Sequence, residues 1–133
     1  MPHYTKVNLL ELEDMARKFD MPEEMESRFG RQALEMERGG LSHFRLGPDF
    51  REPFGHVHRE QEEIYVVLSG SIRVAVEDEV VEVGPMDAIR VPAGVKHGIE
   101  GGPEGGEFLA YGAGPARDSE QFAGWWPDEY GAG

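Results

Sequence analysis

Four side chains in this sequence have the types and spacing of a metal site: His56 and His58 in His56-Val57-His58, Glu63 five residues further on, and His97 in Pro92-Ala93-Gly94-Val95-Lys96-His97. Side chains at i and i+2 of an extended strand lie on one face about 6.6 Å apart, so one ion can sit between the paired imidazoles. Neutral imidazole and carboxylate suit borderline divalent metals such as Fe, Mn, Ni, Cu or Zn, whereas an all-oxygen set would point to Ca or Mg. The chain contains no cysteine, which excludes a thiolate site. Glu62, the competing carboxylate, would face the opposite way on a regular strand. Singly, each histidine reads better as an ordinary polar residue at a strand end. Jointly, the four read better as the ligands of one ion.

The residues between them are those of strand and turn. Arg59-Glu60-Gln61-Glu62 is polar, and Ile64-Tyr65-Val66-Val67-Leu68 is apolar, β-branched and aromatic. This predicts strand, turn, strand, with Glu63 opening the second strand beside His58. Ser69-Gly70-Ser71 predicts a turn that ends that strand, and Pro92-Ala93-Gly94 another that delivers His97 to a short strand. Tyr65 and Val67 share the face of Glu63 if the strand is regular. Tyr65 is therefore the candidate catalytic group, placed to donate a hydrogen bond or proton to a bound oxyanion, with a packed core tyrosine as the equal alternative. His43, Arg45, Arg90 and Tyr111 are weaker candidates for a pocket rim, each more simply read as structural or solvated.

Elsewhere the periodicity is mixed. Asn8 followed by Leu9, Leu12, Met15, Ala16 and Phe19 has the spacing of an amphipathic helix, with Glu11 placed for a capping box. Met25 and Phe29 predict one or two further helical turns after Pro22. From Gln32 the period becomes two, and Gly39-Gly40 turns the alternating Leu34 and Met36 back into residues 41–46 as a hairpin. Residues 72–76, 80–83 and 88–91 are short strands. Residues 100–106, rich in glycine, predict a flexible loop, and residues 108–111 the last strand. Trp125 and Trp126 are too large and apolar for a free tail and predict docking, on the outside or across a subunit interface rather than as a lid.

Many short strands with no helix between them exclude a parallel sheet and leave an antiparallel sandwich or barrel. Here the chain resembles the cupins. It supplies His-x-His, four residues, Glu, six residues and Gly as His56, His58, Glu63 and Gly70, then Pro-x-Gly-x-x-His as Pro92, Gly94 and His97. It departs from the family where a glycine usually precedes the first motif (Phe50), where a glycine precedes the aspartate of the second (Met86), and at that motif's closing asparagine (Gly101). The resemblance implies an all-β fold, a double-stranded β-helix or jelly-roll cupin barrel with a short N-terminal helical segment. It divides the single domain into a helical arm (1–31), the barrel (32–114) and a C-terminal tail (115–133). It also implies a homodimer, and one divalent transition metal per chain held by His56, His58, Glu63 and His97.

At 133 residues the chain is one domain long enough to bury a core. A net charge of -13 repels phosphate backbones and anionic membranes, so neither nucleic acid nor membrane is an expected partner. No apolar stretch approaches the length of a membrane span and the N-terminus lacks a signal peptide's apolar core, so a soluble cytoplasmic protein is expected. The expected partner is a small organic molecule. Three His and one Glu leave coordination positions open, which suits dioxygenase-type chemistry first, with metal-dependent isomerase or lyase chemistry, or a binding or sensor module without turnover, as alternatives.

Overall fold

The computed structural model describes residues 3–127. Its strands are β1 (Met25–Phe29), β2 (Gly40–Leu46), β3 (Phe54–His58), β4 (Glu62–Val76), β5 (Glu79–Val83), β6 (Ala88–Val91), β7 (His97–Ala113) and β8 (Ser119–Ala123). All pairings are antiparallel and form one curled sheet with the path β1-β2-β7-β3-β8, while β4 joins β7, β5 and β6. This is the expected all-β jelly roll. Alternation along each strand decides what lies inside: Tyr65, Val67, Ile72 and Val74 of β4 meet Val83, Val91, Ile99 and Phe108 in a continuous core. Phe44 stacks on Phe108 with ring centroids 5.2 Å apart, and Tyr65 meets Phe108 edge-on at 5.9 Å.

The short N-terminal helical segment is present, broken into a 3-10 turn, Leu9–Glu11, and a single α-helical turn, α1 (Met15–Lys18), rather than running unbroken from Asn8 to Phe19. Asp14 separates them, because its Oδ1 caps the Ala16 N–H and also accepts from Ser27 N. The first turn is capped by the Asn8 side chain, with no part played by Glu11 as a capping box. Residues 25–29, expected as helix, are strand β1. Met25 and Ser27 face inward opposite Leu46 and Phe44, so the pairing with β2 outweighs the helical spacing of Met25 and Phe29. The hairpin partner of β2 is thus β1, and residues 32–38 form turns rather than a strand.

Two expected loops are also strand. β4 runs through Ser69-Gly70-Ser71 with register shifts on either side, a bulge in which Gly70 has φ 67° and closely faces the Gly105 carbonyl. Residues 100–106 lie within β7, where their glycines allow close approach: a Cβ on Gly106 would press on Ile72 and Ser71. Residues 108–111 are likewise internal to β7, and the last strand is β8, inside the segment expected as tail. Trp125 packs over Gly55 and Gly98, which neighbour His56 and His97 but face the other way, so the tryptophans dock on the outside behind the site. Trp126 is 8% exposed, with the Arg51 guanidinium 4.1 Å from its ring centroid.

Candidate metal centre

Three strands bring the predicted ligands together. β3 presents His56 and His58 on one face, the β3-β7 register sets His56 opposite His97, and β4 carries Glu63 between Val91 of β6 and Gly112 of β7. The Glu63 Oε1 atom is the hub: His56 Nε2 is 3.1 Å away, and His58 Nε2 and His97 Nε2 are each 2.9 Å away. His56, Glu63 and His97 offer one donor atom each within 4.8 Å of one another, a group that could hold a metal ion. His58 reaches the same oxygen alongside that trio. Glu62 points away and pairs with Arg90 at the surface.

The hydrogen bonds fix which imidazole nitrogen is available. A carbonyl can only accept, so His97 Nδ1–H donates to Val95 O at 3.0 Å. His58 Nδ1–H donates to Asp118 Oδ1 at 2.7 Å. With Nδ1 engaged in this way, Nε2 of His58 and of His97 is the nitrogen that faces Glu63 Oε1 and is left to bind an ion. Nitrogen and carboxylate donors of this kind fit a divalent transition ion. Asp118 is itself held by the Glu60 and Gln61 N–H groups, each at 2.8 Å. These hydrogen bonds, with that from His58, keep its carboxyl below the usual range although burial opposes them.

Electrostatics follow from burial and the hub. Burial alone would raise the Glu63 carboxyl, but hydrogen bonds from His56, His58 and His97 hold it well below the usual range. Burial lowers His56, while for His58 the bonds to Glu63 and Asp118 outweigh burial and raise it. Tyr65, 2% exposed, has its hydroxyl 2.9 Å from both Glu63 Oε1 and His97 Nε2. Burial, then the Glu63 charge, raises its phenol well above the ordinary value, so it is a hydrogen-bond donor rather than a phenolate.

The weaker rim candidates lie on the other face of the sheet. His43 is buried with Nε2 2.6 Å from Glu107, Arg45 pairs with Glu26 and Glu107, and Tyr111 is exposed. Two residues at the site carried no sequence signal that pointed to it. Asp118 sits in the segment taken for a tail, and Glu52 precedes the His-x-His strand outside any motif. Burial and then the Glu63 charge push the Glu52 carboxyl up to about 8.

If His58 binds an ion through Nε2, Asp118 orients it. Asp118→Asn is then expected to weaken metal affinity about 10- to 100-fold with the fold retained. Competition with a chromophoric chelator measures this, and unchanged affinity would refute the orienting part assigned to Asp118.

The cupin domain family profile matches residues 42–109, just over half the chain, and with the fold this places the protein in the cupin family. No curated protein sequence matches significantly. Among solved structures, a cupin protein from Bacteroides fragilis is 21% identical with a TM-score of 0.71 and 96% of each chain covered. A sugar phosphate isomerase of the cupin superfamily from Silicibacter pomeroyi is 18% identical with a TM-score of 0.66, covering 89% of this chain and 92% of that one. A variant of oxalate decarboxylase from Bacillus subtilis is 20% identical with a TM-score of 0.73; the match covers 92% of this chain but 34% of the decarboxylase chain. These likenesses establish the shared fold. No helix among the described residues is long and apolar enough to cross a membrane.

Proposed function

We propose that this cupin is a metal-dependent enzyme acting on a small, uncharged, enolisable or phenolic molecule inside the barrel, with His56, His58, Glu63 and His97 as the ligands of one divalent ion. The convergence of three Nε2 atoms on one Glu63 oxygen carries the reading. Among the described residues no lysine or arginine is paired with any of these four ligands or with Tyr65, and the neighbouring core is apolar, which supports an uncharged substrate over a phosphate or dicarboxylate. A bound divalent ion supplies Lewis-acid or redox chemistry with coordination positions left for substrate. Tyr65 donates a hydrogen bond to the substrate oxyanion, and the apolar walls exclude water.

Dioxygenase-type oxidation is the leading reaction. The iron-loaded protein is expected to consume O₂ with some member of a panel of phenols, enols and 1,3-diketones, read with an oxygen electrode, and Glu63→Ala to abolish the uptake. Full metal loading without O₂ uptake across the panel would reject this reaction. Anaerobic substrate conversion would instead support the isomerase or lyase reading, which the elevated proton affinity of Glu52 favours. Self-association into a homodimer is supported by the outward-facing apolar side chains Leu68, Met86 and Tyr111, and light scattering coupled to size exclusion tests it.

A further inference from the structure

Glu52 is a carboxylic acid inside the barrel wall that the proposed metal site does not use. Arg51 bridges to Glu100, so the next pair in register is Glu52 opposite Ile99, and the Glu52 N–H donates to Ile99 O at 3.0 Å. Ile99 is 2% exposed and lies two residues beyond His97, on the same face of β7. Arg51 and Glu100 therefore face outward, where Glu100 also binds Arg73, and Glu52 faces inward with Ile99 and His97. No hydrogen bond or ion pair holds its carboxyl among the described residues, yet it retains partial solvent access and lies close enough to Glu63 and Tyr65 for their charges to couple. A buried acid without a structural partner is expensive to keep unless it has work to do.

We propose that Glu52 is the proton-accepting residue of the site, taking the proton that an enolisable carbonyl or enol substrate loses as it binds as its enolate. The substrate C–H or O–H bond breaks, its electron pair remains on the enolate, and the proton passes to a Glu52 carboxylate oxygen, from which it can return to carbon or oxygen. A carboxyl pushed up to about 8 by burial is a carboxylate able to accept a proton above that pH and an acid able to return it below, so near it the transfer runs in both directions. The inference rests on the metal-dependent reading above.

The test is anaerobic titration of the zinc-loaded protein with 2,4-pentanedione, following the ultraviolet band of the enolate and, with an indicator dye in weak buffer, the protons released. Titrated above the Glu52 value of about 8, where its carboxylate is present to accept, the wild type is expected to form the enolate with much less than one proton released per molecule bound. In the near-isosteric Glu52→Gln variant one proton should be released, with affinity at the same pH weakened about tenfold or more, and Glu52→Asp should restore part of the uptake. Equal affinity and equal proton release in wild type and Glu52→Gln, both zinc-loaded and folded by circular dichroism, would overturn the assignment of Glu52 alone. Failure of the wild type to load zinc or to bind the diketone would overturn the metal-dependent reading along with it.

Discussion

Replacing His56 and His58 together with alanine is expected to abolish stoichiometric metal binding and remove the thermal stabilisation that metal confers on the wild type. Both imidazoles lie on one face of β3, and together they supply two of the three nitrogens around Glu63 Oε1. A ligand that binds only the folded chain and is present at about a thousand times its dissociation constant stabilises by roughly 4 kcal/mol. For a domain of this size that corresponds to a melting temperature higher by on the order of 10 °C or more. Elemental analysis of protein purified without a tag, and melting curves with and without chelator, give the comparison. The double variant should melt at one temperature under both conditions, near that of the chelated wild type. Acidification should weaken metal binding in the wild type, because protons compete for the imidazole nitrogens. A wild type that takes up none of Fe, Mn, Ni, Cu or Zn and shows no metal-dependent shift would sink the metalloprotein reading.

The convergence of His56, His58 and His97 on Glu63 is legible in the sequence because its information is local. The strand period puts His56 and His58 on one face and Glu63 and Tyr65 on one face of the next strand, and a turn before His97 does the rest. Where short-range patterns compete, the sequence is less decisive. Met25 and Phe29 have helical spacing, but Met25 and Ser27 also alternate, and the partner that selects the strand, β2, lies beyond an intervening turn. Glycine is ambiguous in the same way. In residues 100–106 it reads as a flexible loop, yet it allows β7 to pass close to Gly47, Ser71 and Ile72. Asp118 could not be read at all, since its contact with His58 joins residues 60 apart and no motif marks it. Glu52 was hidden similarly, because only the bridge of Arg51 to Glu100 tells which way its side chain faces.

Truncating the chain after Gly114 is expected to unfold or aggregate the protein, although residues 115–133 have the composition of a dispensable tail. β8 pairs with β3 along its full length, from Phe54 opposite Ala123 to His58 opposite Ser119. Its loss would turn the strand that carries two of the imidazoles into an open edge, a known route to aggregation. The cut also removes Asp118, leaving His58 Nδ1 and the Glu60 and Gln61 N–H groups without their acceptor. Trp126 is almost fully buried, and deleting such a side chain costs about 3–5 kcal/mol by itself. Set against a typical total stability of roughly 5–15 kcal/mol, these losses leave little net stability. Circular dichroism, melting curves and metal uptake of the 1–114 chain test the expectation, with Trp126→Ala as the partial lesion that should fold at a reduced melting temperature. A truncated chain that melts within a few degrees of the full one and loads metal equally would mean that β8 decorates a barrel already complete without it. Loss of both properties would mean that the metal-binding face of β3 is held in place from outside, by the same segment whose Asp118 orients His58.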